Sequence, residues 1–343
     1  MGLWRTIRPF HKINNRNQII MHKYRTEVGT NIERAAGILL TGGVVAMPTE
    51  TVYGLAGNAY SINAITTIFE VKMRPFYNPL ILHVESVEQL LKHSTEVSPL
   101  AIKLLEKFSP GPLTVIVPKT SVVPDLITNG LPDVAIRIPN HEVALQLLKM
   151  SPFPLVAPSA NRFMRLSPTT AGHVLEQLGG SVPYVLDGGP CTSGIESTVV
   201  RVKDDVIEVH RVGAITIGQL KKVHPNVVLA VEGNSPSPGR MKQHYSPLTQ
   251  MILTDDMERT IKLLKGGKVG VLTFSNTYRA PEGALTMNLS PAGSLEEAAQ
   301  NLYRHLYELD KADLDFIVTA LLPDIGLGQA INDRLRRAAS TAA

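Results

Sequence analysis

Seven consecutive residues past the middle of the chain, Gly233-Asn234-Ser235-Pro236-Ser237-Pro238-Gly239, constrain its fold more than any other feature. Proline removes a backbone donor, glycine weakens any regular element, and Asn and Ser divert backbone hydrogen bonds to their own side chains. Such a run holds neither helix nor strand, so the 343 residues must fold as two bodies joined by a linker. The expected division is an N-terminal extension over 1–24, a first body over 25–230, a linker over 231–248 and a second body over 249–343.

Both bodies alternate short β-rich runs with helical ones, the pattern of a mixed α/β fold. In the first, residues 44–47, 80–84, 113–117, 134–138, 155–157, 185–186, 197–202 and 206–211 read as strands or extended chain. The last two are joined by a Lys203-Asp204-Asp205 turn, and the body is expected to close near Val212-Gly213. Helices are expected over 64–71, 100–108, 141–150 and 171–178. In the second body the strands are 251–253, 269–274 and 316–321, with helices over 257–264, 295–309 and 331–337. Ser294-Leu295-Glu296-Glu297 has the form of a capping box for the middle helix.

The net charge of +4 with a pI near 9.0 invites a nucleic-acid reading. Arg5, Arg8, Lys12, Arg16, Lys23 and Arg25, however, all precede the first carboxylate, Glu27. Subtracting those six from +4 leaves the rest of the chain at −2. A globally basic surface is therefore not expected, and any polyanion site must be a local cluster. The acid-free extension reads as disordered rather than as an organelle presequence, and it lacks a secretory apolar core. No run is apolar enough to span a membrane, and the single Cys191 allows no internal disulfide. A cytoplasmic protein is the expectation.

The common motifs for ATP, dinucleotides, zinc and acyl-serine chemistry are absent, and the scattered histidines give no metal site from protein side chains. Five polar segments follow apolar strands instead, where α/β folds place ligands. They are Pro48–Leu55, Lys72-Met73-Arg74-Pro75 with Asn78 leading to His83, Arg137 within an apolar strand, Pro158-Ser159-Ala160-Asn161 with Ser167, and Asp187-Gly188-Gly189 through Ser197-Thr198. Taken singly most read as caps and turns, with Lys72 and Arg74 as dipole partners of their helix. Arg137 does not, because a guanidinium in a buried strand needs an anion. Lys72, Arg74, Arg137 and Arg211 together would surround hydroxyl-rich loops with four cations, suited to a triphosphate.

In this order, PTETVYGLA, KMRPFYNPLILHV, PGPLTVIVP, VAIRIPNH, APSAN, SPT and DGGPCTSGIESTVV resemble the YrdC-like threonylcarbamoyl-AMP synthase family. SPSPGRMKQHYSP and GLGQAINDRLRRAA resemble its long two-domain form. The resemblance implies an α/β fold: a YrdC-like catalytic domain over 25–230 with a twisted mixed sheet and flanking helices, plus a smaller Rossmann-like α/β domain. It implies condensation of L-threonine with bicarbonate or CO2 and ATP, with Mg2+ assisting, to threonylcarbamoyl-AMP and pyrophosphate. A separate threonylcarbamoyl transferase complex would pass the group to tRNA adenosine. Direct contact with tRNA is left open, as is the role of the second domain.

By the same resemblance, Lys72, Arg74, Asn78, Ser159, Asn161, Ser167, Arg211 and Tyr245 would bind ATP, with Lys72 and Arg74 catalytic through charge stabilisation. Thr51, His83, Arg137 and Ser197 would bind threonine, and the 231–248 linker would act as a lid. Family members often carry Ser-Gly after APSAN, where this chain has Arg162-Phe163-Met164-Arg165, so local reshaping is expected. Two other readings are an RNA-binding module without adenylate chemistry and a carbamoyltransferase or hydrolase. The first is weakened by the net-negative body and by 5% aromatic residues. The second lacks the cysteines of a zinc finger.

Overall fold

A computed structural model of the chain describes residues 23–231 and 244–340, apart from 265, 277, 279 and 282. Most of the extension, the 233–239 run and Lys242-Gln243 lie outside the described residues.

In the first body the strands are β1 (Glu27–Gly29), β2 (Val45–Met47), β3 (Gly54–Asn58), β4 (Ile81–His83), β5 (Leu113–Pro118) and β6 (Asp133–Arg137). They are followed by β7 (Leu155–Val156), β8 (Tyr184–Leu186), β9 (Thr198–Lys203), β10 (Val206–Arg211) and β11 (Val227–Leu229). One mixed sheet results, in the order β1-β8-β2-β3-β7-β4-β6-β5-β9-β10-β11. Central strands such as β2 and β4 are buried at every residue, as expected of strands covered on both faces. The β9–β10 pair is antiparallel, and Asp204 and Asp205 at its turn have φ of 48° and 59°, the left-handed values a primed turn requires.

Three parts depart from the sequence reading. Gly54-Leu55, expected in a loop, begins strand β3, which pairs antiparallel with β2. Its sequence, Gly-Leu-Ala-Gly-Asn, lacks β-branched residues, so burial rather than propensity makes it a strand. The helix Ile32–Leu40, capped by Asn31, and strand β1 precede the first expected element. The body also does not close at Val212-Gly213: the helix Ile217–Lys221 returns the chain so that β11 pairs parallel with β10.

The second body has an all-parallel sheet of β12 (Gln250–Leu253), β13 (Val269–Thr273), β14 (Leu285–Asn288) and β15 (Phe316–Thr319). Its order is β12-β15-β13-β14. The expected capping box is half realised. Ser294 Oγ accepts the Glu297 N–H at 3.2 Å, but the Ser294 N–H goes to Ser290 Oγ at 2.8 Å. Glu297 in turn accepts the Ser290 hydroxyl at 2.5 Å, so a buried serine outside the motif takes the reciprocal place.

The two bodies share a core. Val52, Leu166, Ile195 and Tyr245 pack with Leu302, Tyr303, Leu306 and Ile331 of the second body. Complete burial of Ile195 alone stabilises this junction by about 2 kcal/mol. At Gly194, φ is 72° and a Cβ would stand 2.4 Å from the Ala299 carbonyl oxygen, so only glycine lets the loop press onto the helix Leu295–Lys311. Among the described residues no helix is long and apolar enough to cross a membrane.

Candidate functional site

Strands β4, β6 and β5 place three polar residues in one row: His83 stands beside Arg137, and Arg137 opposite Thr114. The first two strands run parallel and end here, at the carboxyl edge where open α/β sheets bind ligands. Thr114 Oγ1 lies 2.7 Å from Ser197 Oγ, on the chain entering β9. Arg211, at the end of β10, donates to the Ser197 carbonyl at 3.0 Å and its hydroxyl at 2.9 Å. This packing needs Gly213, where a Cβ would come within 2.4 Å of the Glu196 carbonyl oxygen.

The anion that Arg137 requires is internal. Its Nη2 lies 2.7 Å from Glu50 Oε2, its Nη1 donates to Thr51 Oγ1 at 2.8 Å, and its Nε donates to the Gly111 carbonyl at 3.3 Å. The sequence reading gave this role to the carboxylate of threonine and passed over Glu50. A guanidinium carries five N–H groups, so two remain for a second acceptor.

Lys72 is buried because it is in phase with Ile65, Ile68 and Phe69 on the inner stripe of the helix Ile62–Lys72. Its ammonium donates to the carbonyls of Ser159 and Asn161, at 2.5 and 2.6 Å. Burial, then Arg74 and Arg162, push it well below the usual lysine range. Met73 ends the helix with a left-handed φ of 54°, and Arg74 then donates to the carbonyls of Asn78 and Pro79. Burial lowers the Arg74 guanidinium to about 10, which leaves it charged at neutral pH.

His83 donates from Nδ1 to the Ile81 carbonyl at 3.1 Å. Burial, helped by Arg137, lowers it to about 3, so the neutral ring offers Nε2 as an acceptor. His173, stacked on Tyr307 across the junction of the two bodies with ring centres 3.8 Å apart, is lowered to about 4 by burial, then by Lys311 and Arg304. Both values lie below the 6.5 of an unfolded histidine, so the unfolded chain takes up these protons first. Stability is then complete above that value and is lost as pH falls towards about 4, by about 1.4 kcal/mol per pH unit for each group. Urea midpoints measured between about pH 7 and about pH 4.5 should fall steeply, and a flat profile would contradict the assignment.

Thr51, Arg74, His83, Arg137, Ser159, Ser197, Arg211 and Tyr245 line one cavity. Lys72, Asn78, Asn161 and Ser167 are buried close by but do not line it. Asn161 ties the carbonyls of Arg162 and Arg165 together, and Ser167 donates to Glu196 Oε1 at 2.6 Å. Glu196 and His244 complete the wall and were not singled out from sequence. Glu196 could have been: it lies in the Gly- and Ser-rich segment already singled out, directly before Ser197. Cys191 is buried, and burial pushes its thiol up, which keeps it un-ionised. Among the described residues no group of three or more His, Cys, Asp or Glu is placed to hold a metal.

His244 and Tyr245, at the far end of the linker, form part of the wall of this cavity, whose volume is about 60 Å³. That is room for a few waters, far less than a nucleotide occupies. They dock on the segment that departs from the family pattern. The Phe163 ring meets His244 edge-on at 6.3 Å between centres, and the Ser246 N–H donates to the Met164 carbonyl at 2.9 Å. Met164 has φ of 66°, a left-handed value that glycine adopts without strain. Met164→Gly should therefore raise stability by about 0.5–1 kcal/mol, read as a melting shift of a degree or two upward. A lower melting temperature would show that the Met164 side chain contributes more than its backbone costs.

The model of the family described as Telomere recombination, covering Sua5, YciO and YrdC, matches residues 37–213. That described as Threonylcarbamoyl-AMP synthase, C-terminal domain, matches residues 215–340. The chain is 39% identical over 323 residues to a threonylcarbamoyl-AMP synthase of Pyrococcus abyssi (strain GE5 / Orsay), covering 90% of this chain and 93% of the relative. It is 38% identical over 328 residues to a protein of the same name from Bacillus subtilis (strain 168), covering 91% and 95%. The crystal structure of P. abyssi Sua5 complexed with L-threonine superposes with a TM-score of 0.83 at 37% identity, covering 92% of this chain and 96% of that one.

Proposed function

Because the chain belongs to the Sua5, YciO and YrdC family and carries the C-terminal domain of threonylcarbamoyl-AMP synthases, we propose that it makes threonylcarbamoyl-AMP from L-threonine, bicarbonate and ATP. The observation that carries the reading is the convergence of polar residues from separated segments on one cavity. Threonine first takes up bicarbonate on its amine with loss of water. The resulting carbamate oxygen attacks the α-phosphorus of ATP, and pyrophosphate leaves with the electron pair of the broken P–O bond.

No enzyme nucleophile is needed. The chain has to hold the reactants together and offset the negative charge that builds on the phosphates. Arg74, Arg211 and Ser159 would face ATP, with Tyr245 over the nucleotide. Lys72, Asn78, Asn161 and Ser167 would act on ATP from the second row by shaping the loops that carry those groups. The carboxylate of threonine would take the two free N–H groups of Arg137, and the neutral His83 would accept from its amine or hydroxyl. Thr51 and Ser197 would complete that end. Mg2+ would enter as the counter-ion of ATP, bound to its phosphates and to water. A nucleotide would need more room than the cavity between these walls gives, so His244 and Tyr245 would withdraw for entry and return to exclude water.

The cations in and behind the cavity wall favour this reading over an RNA-binding surface. Lys72, Arg74, Arg137 and Arg211 are each exposed by 9% or less, too buried to track a nucleic-acid backbone. The product would pass to a tRNA-modifying threonylcarbamoyl transferase complex, in the cytoplasm. The deciding assay supplies ATP and bicarbonate with each amino acid in turn and follows pyrophosphate. Release with threonine alone is expected, and release independent of any amino acid would refute the proposal.

A further inference from the structure

Arg334 lies on the helix Leu327–Ala339 of the second body and is 1% exposed. Its Nε donates to Glu196 Oε2 at 3.1 Å, and its Nη1 to the Val212 carbonyl at 2.6 Å. The same guanidinium backs the Tyr245 ring, 5.4 Å from its centre. Glu196 also accepts from Ser167 at 2.6 Å and from the Tyr303 hydroxyl at 3.0 and 3.1 Å. Two of these donors, Arg334 and Tyr303, come from the second body, while Glu196 itself stands in the cavity wall.

A carboxylate in the wall of a cavity that receives triphosphate and carboxylate groups needs to be masked, since like charges at such range repel strongly in a poorly solvated site. Arg334 does not line the cavity, so it reaches the reaction only through its neighbours.

We propose that Arg334 is a positioning residue for the reaction: it masks the Glu196 carboxylate from the anionic substrates, so that the second body completes the site. The proposal rests on the adenylate-forming reading above. The groups facing Glu196 are Arg334 and Tyr303 from the second body, with Arg211 and Tyr245 beside the cavity. Burial alone would push the Glu196 carboxyl up, but Arg334, then Arg211, outweigh it and hold the group low. The carboxylate is therefore ionised at neutral pH, and it is Arg334 that makes this tolerable next to ATP.

The test compares full-length wild type, Arg334→Met, Glu196→Gln and the double variant for pyrophosphate release, with melting curves for each. Absence of threonine-dependent release in the wild type would remove the adenylate-forming reading itself, before any variant is compared. Given that release, Arg334→Met should raise the KM for ATP about 10- to 100-fold near pH 8, and the rise should shrink as pH is lowered, because burial pushes Glu196 up once Arg334 is gone and the carboxyl takes up a proton more readily. Adding Glu196→Gln should bring KM back to within about 3-fold of wild type, because two neutral groups replace the buried pair. If Arg334→Met does not fold, the double variant alone decides: a KM near wild type supports masking. A double variant raised as far as the single, or a KM in Arg334→Met that ignores pH, overturns the proposal.

Discussion

Arg137→Met is expected to cost the chain both stability and activity, and the two losses should be separable. Removing the guanidinium leaves Glu50 as a buried carboxylate, 5% exposed, without its cationic partner. Breaking a buried pair from one side destabilises by about 3–5 kcal/mol, because the remaining charge has no compensation. The Thr51 hydroxyl and the Gly111 carbonyl also lose a donor each, at about 1 kcal/mol apiece. Urea unfolding should register most of this. A second change, Glu50→Gln, removes the orphaned charge and should restore the greater part of the stability.

Activity should not return with it. The free N–H groups of Arg137 are assigned to the carboxylate of threonine, and a charge-assisted bidentate contact of that kind contributes about 3–4 kcal/mol to transition-state binding. The double variant should therefore fold yet release pyrophosphate about 10²–10³ times more slowly at limiting threonine. A double variant that is both stable and fully active would take threonine away from Arg137 and leave the residue a structural role with Glu50.

The same pair marks how far the sequence could be read. That Arg137 needed an anion followed from its place in an apolar strand. Which anion it was did not follow, because Glu50 lies 87 positions away and meets Arg137 only when β6 comes to lie against the loop after β2. Lys72 shows the converse. Helical phase alone put it with Ile65, Ile68 and Phe69, yet the run also satisfied the simpler reading of a cation at a helix C-terminus. Regular elements with strong patterning, such as the helix Pro99–Phe108 and strand β5, stood out because burial and propensity agree there. Strand β3 did not, since its residues gain from burial what they lack in propensity. Glu196, Tyr303 and Arg334 belong to three distant segments whose meeting is a property of the junction between the bodies. No spacing in one chain announces such a junction.

Lys72→Met should produce the other large effect, mostly on the chemical step. The ammonium holds the carbonyls of Ser159 and Asn161 together, and Met fills the same volume without donating. Two buried carbonyls then lose a partner, at about 1–3 kcal/mol each, offset by the relief of burying a cation. Net stability should change little. The Ser159 side of that loop lines the cavity, however, and a displacement near 1 Å at a reacting group costs about 10²-fold in rate. Loss of the positive charge behind that loop would remove about another tenfold of electrostatic stabilisation at the phosphates. We therefore expect kcat to fall about 10²–10³-fold while the melting temperature moves by only a few degrees. Lys72→Arg should not rescue, because a planar fork directed at two carbonyls cannot reproduce the compact ammonium. Unchanged pyrophosphate release in Lys72→Met would end both the loop-holding and the charge-stabilising roles, and would move the burden of phosphate recognition onto Arg74 and Arg211 alone.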